Sequence, residues 1–372
     1  MGRKGDGGIR GNTLPHKKTG GQAHENSPPV SVIIPHWNGI DILSECLQSL
    51  KKTTYVPLEI IVVDNNSTDG SQTWMKENHP DVILVENEKN YGYAGGCNRG
   101  IPHCSGDYVC FLNNDTIQDE GWIEPLVETM MSDSSIAAVQ PKILNYFQRD
   151  LFDYAGGAGG ELDVFGFPFA RGRIFTTQEV DTSQFNSIAD IFWASGTAMM
   201  VRKNIFLKAG GFDELFFAHM EEIDLCWRFH LMGYTVRSAP DSLVFHKNAV
   251  TLPMYTTKKY YLNHRNSFMM LLSNYSLPIA LYVFPLRLAL EGLAFIYALI
   301  KLDWKHMAAI IKSQIWLIFH PHKIVGKRQS VKSIRKTRDK HVLNKMYKGS
   351  VVLSYYLFGK KTYRDIVSNP DR

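Results

Sequence analysis

Three short side chains with oxygen atoms, Asn113, Asn114 and Asp115, follow directly on an apolar run at 108–112. A continuous apolar run of this length is typical of a strand that is buried on both faces of a parallel sheet. Ligands of open α/β sheets bind at the carboxyl ends of such strands. We therefore expect the cluster to hold a cation or a hydroxyl-rich ligand, although a simple Asx-rich turn is the alternative that these residues leave open.

Two further polar clusters follow apolar runs in the same way. Asp64 ends the run at 58–63, and a glycine-rich segment at 90–98, with Arg99 beside it, follows a short run at 82–86. A carboxylate at a strand end can accept hydrogen bonds from a base or a ribose, whereas glycines and an arginine allow a pyrophosphate to approach closely. Taken singly the glycine-rich segment is a weak signal, since glycines serve turns as often as ligands.

A departing diphosphate needs its charge neutralised, which a hard divalent cation does with few protein ligands. Asp115 is the natural carboxylate ligand in this sequence, and His246, at the end of a late apolar segment, is a candidate for a second ligand. The alternative for a lone histidine is a structural role. The sequence thus predicts a site for Mg²⁺ or Mn²⁺.

An attacking hydroxyl needs a base, and the adjacent acids Glu221 and Glu222 lie among the aromatic residues Phe216, Phe217 and Trp227. Partial burial and the mutual repulsion of two carboxylates raise a carboxyl pKa toward the range of a useful general base. A solvated acidic helix face is the alternative. The apolar segment at 216–220 argues against that alternative.

The elements that must position these residues alternate along the chain. Strand-like runs at 30–35, 58–63, 82–86 and 107–112 are separated by helical patterns, which predicts βαβ units in a Rossmann-like parallel sheet with helices on both faces. Residues 145–190 show few clear periods and are predicted to form a mobile lid or an acceptor loop. A helix at 216–231 and two strand-like pieces at 235–239 and 242–246 complete this part.

The ends of the 372-residue chain have different compositions. Residues 1–29 carry no hydrophobic period and predict a disordered basic, glycine-rich tail. The five cysteines match neither a zinc site nor a disulfide framework, which favours reduced thiols in a cytosolic compartment. No secretory signal is expected, because the tail lacks an apolar core segment.

The C-terminal part combines apolar helices with a basic run. Residues 277–300 are apolar, and Arg287 and Glu291 within them could pair across one helical turn. Residues 301–348 hold 13 Lys or Arg against two Asp, a net charge of +11, so that the remainder carries −6 of the total of +5. This combination favours a helix lying in the plane of an anionic membrane surface over a transmembrane hairpin, an ordinary helical subdomain or a nucleic-acid site.

Six motifs in series resemble the family 2 glycosyltransferases with a GT-A fold, especially the rhamnosyltransferase-like branch. They lie at 31–39, 63–70, 90–100, 112–115, 195–196 and 221–228. The resemblance covers 30–270 and implies a GT-A domain there, whereas the composition of 271–372 predicts a helical, membrane-associated region. The resemblance also implies inverting transfer of a sugar from a nucleoside diphosphate sugar to an acceptor hydroxyl.

The resemblance assigns roles residue by residue. It implies Glu222 as the catalytic base, with Glu221 as the acid before it, and Asp115 and His246 as metal ligands, with Asn113 standing where the family has its first acid. Acceptor-side contacts would come from Trp193, Ser195 and Gly196. Donor nucleotide contacts would come from Pro35, Trp37, Asn38, Asp64, Asn90, Gly92, Ala94, Asn98, Asn113 and Asn114.

The donor suggested by the branch is deoxythymidine diphosphate rhamnose. The acceptor would be a saccharide or a lipid-linked saccharide in cell-surface polysaccharide synthesis, on the cytoplasmic face of the plasma membrane. A nucleotidyltransferase should instead show a glycine-rich basic loop after the first strand, where this chain has His-Trp-Asn-Gly at 36–39. A non-catalytic nucleotide-sugar-binding protein is the rival from another class, and the motifs of a processive polysaccharide synthase are not seen.

Overall fold

A computed structural model of the chain describes residues 27–248 and 256–367. Residues 1–26 of the predicted tail therefore lie outside the described residues. The first half of the described chain alternates strands and helices as the apolar runs predict. Its elements are β1 (Val30–His36), α1 (Ile40–Leu50), β2 (Leu58–Asp64), α2 (Ser71–Asn78), β3 (Ile83–Glu86), α3 (Gly92–Gly100), a 3-10 turn (Ile101–His103) and β4 (Tyr108–Leu112). These four strands are parallel in the order β4-β1-β2-β3.

The next segment extends this sheet and then leaves it. Strand β5 (Thr116–Gln118), helix α4 (Ile123–Ser132) and strand β6 (Ile136–Asn145) are followed by β7 (Gly160–Leu162), β8 (Pro168–Ala170), β9 (Arg173–Ile174) and β10 (Thr177–Gln178). The last four strands form a small antiparallel sheet of their own. Residues 145–190, predicted to form a mobile lid or an acceptor loop, therefore contain the four short strands of this sheet, and the role of the segment stays a prediction. Strands of two or three residues are too short to show a period of two.

The remaining strands complete a mixed nine-stranded sheet. They are β11 (Ala189–Asp190), β12 (Ala198–Arg202) and β13 (Thr235–His246), with α5 (Lys203–Lys208), a 3-10 turn (Glu214–Phe216) and α6 (Glu221–Leu231) between the last two. The order is β11-β13-β6-β12-β4-β1-β2-β3, with β5 paired to β13. Strand β13 is one strand with a register shift between Ala239 and Leu243, where the sequence predicted two pieces. The predicted fold class, an α/β sheet flanked by helices, is confirmed.

The C-terminal region is helical, also as predicted. It consists of α7 (Thr257–Asn274), α8 (Leu277–Ile300), α9 (Trp304–Phe319), α10 (Pro321–Ile334), α11 (Asp339–Leu343), α12 (Val351–Tyr356) and α13 (Tyr363–Ile366). Helix α7 contacts α9 and α10 and also α6, so it joins this region to the sheet domain. Because α7 runs across residue 270, the boundary between the two predicted domains stays a prediction.

Helix α8 is, within the described residues, the one helix that is long and apolar enough to cross a membrane. Its two charged residues are turned into the protein: Arg287 donates to Glu291 at 2.6 Å and to the carbonyl of Phe165 at 3.2 Å. The outer surface of α8 and α9 exposes large apolar side chains, which we call the apolar face. They are Leu281, Tyr282, Leu293, Ile296, Ile300, Trp304, Ile311, Ile315, Ile318 and Phe319.

Candidate active site

The polar residues that follow the parallel strands meet at one edge of the sheet. In the parallel pair of β1 and β2, His36 lies opposite Asp64, and β4 runs in the same direction beside β1. Strand β13 is parallel to β6, and its last residue, His246, pairs with Thr116 of β5. Strand direction alone therefore brings Asp64, the 113–115 cluster and His246 to the same edge.

Asp64 has one oxygen that is satisfied and one that is not. Its side chain is 1% exposed, and Oδ2 accepts hydrogen bonds from the backbone of Ser67 at 2.9 Å and from Gln72 at 2.6 Å. Oδ1 is buried and has no hydrogen-bond partner among the described residues. A buried acceptor without a partner is uncommon, so Oδ1 is ready to receive a donor group of a ligand.

The loop after β1 is tied to the loop after β2. Asn38 has a left-handed backbone; its amide donates to the hydroxyl oxygen of Ser67 at 2.9 Å, and its side-chain oxygen accepts from the amide of Thr68 at 2.8 Å. Asn38 therefore shapes this turn. Trp37 beside it is 41% exposed, and Pro35 is half-buried, which leaves the indole available to a flat ligand.

Most of the glycine-rich segment at 90–98 lies in helix α3. Asn90 accepts from the amide of Gly92 at 2.8 Å. Gly92 has φ +72°, and a Cβ atom on it would lie 2.3 Å from the carbonyl oxygen of Phe217. The amide of Ala94 donates to that same carbonyl at 3.2 Å. The glycine is thus required because α3 begins directly against the loop that precedes α6.

Asn98 takes a structural position within this helix. Its side-chain nitrogen donates to the carbonyl of Phe212 at 2.8 Å, and its oxygen accepts from the amide of Phe212 at 3.0 Å. Both polar groups are used by the backbone of one residue. Asn98 therefore clamps α3 to the segment before α6, and its contact with the donor stays a prediction.

Asp115, His246 and Asp153 form a buried row. Nε2 of His246 lies 3.1 Å from Oδ1 of Asp115, and Nδ1 lies 2.8 Å from Oδ1 of Asp153. Although burial opposes a charge on the imidazole, the two carboxylates raise the pKa of His246 to about 10. The same imidazolium lowers the pKa of Asp115 against the effect of burial. Asp153 in turn accepts from the side chain of Asn248.

This row fits a divalent cation once Nε2 of His246 has released its proton, since a metal ligand must be deprotonated. Oδ1 of Asp115 is buried, and apart from the ion-pair contact with His246, which is not aligned as a hydrogen bond, it has no partner among the described residues. A carboxylate on the far nitrogen of a histidine is the usual second partner of a metal-binding imidazole. Among the described residues no group of three or more His, Cys, Asp or Glu is arranged to hold a metal by itself. Ligand oxygens and water would therefore complete the coordination.

The two asparagines before Asp115 differ in their contacts. Asn114 is 6% exposed, and its side-chain nitrogen lies 2.9 Å from Nδ1 of His36. Asn113 is less buried; its amide donates to the carbonyl of Thr197 at 2.9 Å, and its carbonyl accepts from the hydroxyl of Thr116 at 2.7 Å. Asn114 therefore connects the ends of β4 and β1, and Asn113 lies at the more exposed border of this sheet edge.

The acid pair opens helix α6. Glu221 is 4% exposed, and Oε2 of both acids is buried without a hydrogen-bond partner among the described residues. Burial, together with the charges of Glu222 and Asp224, raises the pKa of Glu221 well above its usual range. Burial raises the pKa of Glu222 to about 7, while the side chain keeps partial access to solvent. Of the two, Glu222 has the properties of a general base near neutral pH.

The loop before the acids is strained and held from the C-terminal region. The predicted helix at 216–231 starts only at Glu221, because Phe217, His219 and Met220 all have positive φ angles. The side-chain nitrogen of Asn266, on α7, donates to three carbonyls of this loop at 2.7 to 3.0 Å. Strain that is maintained by such contacts is typical of functional sites.

Two of the three predicted acceptor-side residues turn inward. Trp193 is 3% exposed and donates to the carbonyl of Glu161 at 2.8 Å, and Ser195 is 2% exposed and donates to the carbonyl of Ala155 at 2.5 Å. In this structure the polar atoms of both side chains support neighbouring backbone, and their contact with an acceptor stays a prediction. The carbonyl of Gly196 accepts from the hydroxyl of Tyr93 at 2.5 Å, which links this segment to α3.

Three residues of the site had not been singled out from the sequence. Asn65 donates to the carbonyl of Gly92 at 3.1 Å and accepts from Asn87 at 3.0 Å, so it fixes the start of α3. Tyr93 connects α3 with the segment before β12. Both lie within motifs that could have indicated them. Asp153 lies in the aperiodic segment, where no local pattern marks it.

The comparisons agree with this architecture. Residues 31–189 match the model of glycosyl transferase family 2. The N-acetylglucosaminyl-diphospho-decaprenol L-rhamnosyltransferase of Mycobacterium tuberculosis is 27% identical over 268 residues, which cover 67% of this chain and 85% of that protein. The poly-beta-1,6-N-acetyl-D-glucosamine synthase of Staphylococcus aureus is 26% identical over 216 residues, which cover 57% of this chain and 48% of the synthase.

A solved structure shows the fold. The crystal structure of GalNAc-T7 with UDP, GalNAc and Mn²⁺ resembles this chain with a TM-score of 0.53 at 16% identity, over 67% of this chain and 48% of that chain. The strand-end site, the family model and the rhamnosyltransferase relative lead to one assignment. Residues 31–189 form a domain that matches glycosyl transferase family 2, the sheet has a GT-A fold, and the chain is a glycosyltransferase.

Proposed function

We propose that this protein transfers a sugar, with inversion, from a nucleoside diphosphate sugar to a hydroxyl of a saccharide or lipid-linked saccharide in cell-surface polysaccharide synthesis. The observation that carries the proposal is the buried acid pair at the start of α6, where Glu222 has a raised pKa of about 7. The similarity to a rhamnosyltransferase makes deoxythymidine diphosphate rhamnose the first donor to test.

The donor nucleotide would lie across the ends of β1 and β2. The unpartnered Oδ1 of Asp64 would accept from the base, and the exposed indole of Trp37 would pack beside it, with Pro35 behind. The diphosphate would lie near the start of α3, around Asn90, Gly92 and Asn113.

Asp115 and His246 would hold Mg²⁺ or Mn²⁺, which when bound neutralises the charge of the departing diphosphate. Asp153 keeps Nε2 of His246 directed at Asp115 through its contact with Nδ1. Glu222 would remove the proton of the acceptor hydroxyl as that oxygen attacks the anomeric carbon. Glu221, whose pKa is held well above its usual range by burial and by Glu222, would stay protonated and keep a second negative charge away from the base.

A transfer assay tests this function. The protein is incubated with Mn²⁺, a panel of labelled nucleotide sugars and a polyprenyl diphosphate-linked saccharide, and the product is examined by NMR for its anomeric configuration. Transfer with inversion supports the proposal. Binding of nucleotide sugars without transfer or hydrolysis of any of them would contradict it and favour a non-catalytic binding protein.

Replacing Asp64 with Asn is expected to weaken binding of the donor nucleotide by about tenfold to one hundredfold, the usual range for a hydrogen bond to a charged group. The measurement is the dissociation constant of the nucleoside diphosphate by calorimetry. Asp81→Asn removes one exposed acid near β3 and serves as the matched control. Equal affinity of Asp64→Asn and wild type would contradict the assignment of Asp64 to the base.

The apolar face supports a peripheral position on a membrane. Soluble monomers rarely expose contiguous apolar patches of more than a few hundred Å². Here the exposed side chains run along α8 and α9, and the basic run from 301 to 348 begins beside them. We place the protein on the anionic cytoplasmic face of the plasma membrane, where a lipid-linked acceptor would also lie.

Replacing Leu281 and Tyr282 together with Asp is expected to reduce flotation with liposomes by about tenfold or more, because two charges then enter the interface. These side chains are 65% and 73% exposed, so folding should be unaffected. Leu207→Asp, at a side chain on α5 that is 54% exposed, is the control and should float like wild type. Unchanged flotation of the double variant would contradict insertion of α8.

A further inference from the structure

A basic cavity lies at the C-terminal end of α6, away from the acid pair. Its volume is about 460 Å³, and its basic lining consists of Lys336, Arg338, His341 and Lys345, with His230 at the bottom. None of its lining residues among those the structure describes is acidic. The proposed transfer reaction uses none of these side chains. Basic side chains that line one cavity attract an anionic ligand.

A buried histidine, His230, and the lysine beside it, Lys345, form part of the wall of this cavity. His230 is 3% exposed, and burial lowers its pKa to about 3, so the ring is neutral. Nε2 lies 2.8 Å from the carbonyl of Phe192, and Nδ1 lies 3.2 Å from the carbonyl of Tyr234. Nζ of Lys345 lies 3.3 Å from Nδ1, so this lysine stands beside the ring at the cavity wall.

The carbonyls at the end of α6, which would repel an anion, are already occupied. The carbonyl of Leu231 accepts from the amides of Lys336 and Thr337 at 2.8 and 3.0 Å. The hydroxyl of Thr337 donates to the carbonyl of His230 at 3.1 Å. These bonds fix the backbone of the segment between α10 and α11, which carries the exposed side chains of Lys336 and Arg338 beside the cavity.

Few acidic groups of the protein neutralise the charges of the basic side chains that line the cavity. Within the described chain, the side chains of Lys336 and Arg338 have no hydrogen bond or ion pair. Asp190, the acid whose charge reaches Lys345, is itself paired with Arg237 at 2.8 Å. The cavity therefore keeps a net positive charge.

We propose that this cavity is a binding site for a phosphate group. This site is separate from the transfer reaction. It gives the basic run at 301–348 a specific ligand, in place of a non-specific attraction to an anionic surface. A phosphate in this cavity would bind at the C-terminal end of α6, whereas the acid pair lies at its N-terminal end. The helix has 11 residues and is therefore about 16 Å long. The phosphate could belong to a lipid headgroup or be free in solution.

The neighbouring surface favours the lipid as the source. On the other flank of α11 lies a second cavity of about 580 Å³, lined by Val164, Pro278, Ile279 and Leu343 among others. Helix α8 begins there, with Leu277 and Leu281 exposed. This part of the inference rests on the proposed membrane association.

The test compares two double variants of the full chain. Lys336→Gln with Arg338→Gln removes two charges from the cavity; Lys323→Gln with Lys332→Gln removes two exposed charges of α10 that do not line it. Each is measured by flotation with phosphatidylcholine vesicles, with and without phosphatidylglycerol, and by thermal shift with inorganic phosphate. Both variants should melt within about 1 °C of wild type, as surface substitutions do.

We expect the cavity variant to lose at least about tenfold in binding to the anionic vesicles, and the control to lose less than about fivefold. Loss of the phosphate-induced thermal shift in the cavity variant, with vesicle binding unchanged, would support the site with free phosphate as its ligand. This arm stays valid even if membrane association fails. Equal losses in the two variants, or none in either, would overturn the proposal.

Discussion

Glu222→Gln is expected to lower kcat for sugar transfer by about a thousandfold, within the usual contribution of a general base. The amide cannot accept the proton of the attacking hydroxyl, and Glu221 beside it is a poor substitute, because burial, the largest cause of its raised pKa, still acts in the variant. The dissociation constant of the donor should stay near that of wild type, since Glu222 is not expected to contact the nucleotide.

The control for this prediction is Glu128→Gln, which removes an exposed carboxylate on α4 and should transfer sugar at the normal rate. Glu221→Gln decides between the two acids. If Glu221→Gln loses activity and Glu222→Gln retains it, the base is Glu221. Near-normal turnover of both variants would remove the acid pair from the mechanism.

Glu222→Gln should also stabilise the fold. The pKa of Glu222 is about 7 in the folded protein against an ordinary value of 4.5, so the folded state binds more protons than the unfolded state between these values. Stability contributed by this group is therefore lost as pH rises from about 4.5 through about 7. Above that range Glu222→Gln should raise Tm by roughly 2–4 °C. A loss of activity that accompanies a higher Tm cannot be attributed to unfolding.

Asp115→Asn is expected to reduce kcat/KM by about one hundredfold to one thousandfold and to raise the Mn²⁺ concentration for half-maximal activity. An amide has no charge to offer a cation, and Oδ1 of Asp115 is a buried oxygen without a hydrogen-bond partner among the described residues. The measurement is a titration of transfer activity with Mn²⁺ after treatment with a chelator.

Two further variants make this prediction specific. Asp153→Asn should weaken the apparent Mn²⁺ affinity by about tenfold to one hundredfold, because Asp153 acts through His246. Asp107→Asn, at the exposed position just before the opposite end of β4, should leave the titration unchanged. A normal Mn²⁺ dependence of Asp115→Asn would contradict the metal site.

Much of this fold could be predicted, because apolar runs and helical periods alternate cleanly up to β4. Strand direction then determines that Asp64 and Asp115 come to one edge of the sheet. The small sheet at 160–178 could not be predicted, since its strands have two or three residues each. Its connection to β6 carries Asp153, so the partner of His246 was missed with it.

Two predicted site residues make internal contacts that the sequence did not indicate. Asn98 and Ser195 are polar residues in motifs, and a sequence does not tell whether such a residue contacts a ligand or the protein's own backbone. In both, the polar atoms meet backbone groups that come from distant parts of the chain. The burial of Glu222, by contrast, could be predicted, because the aromatic residues around it are close in the sequence.

The pH dependence of kcat/KM for wild type and Glu222→Gln tests the central claim most directly. A base is active when deprotonated, so the wild-type rate should rise from about pH 5.5 to a plateau above about pH 8, with a midpoint near the pKa of about 7 of Glu222. The residual rate of Glu222→Gln should lack this rise. A flat wild-type profile, or the same midpoint in the variant, would contradict the assignment of Glu222 as the base.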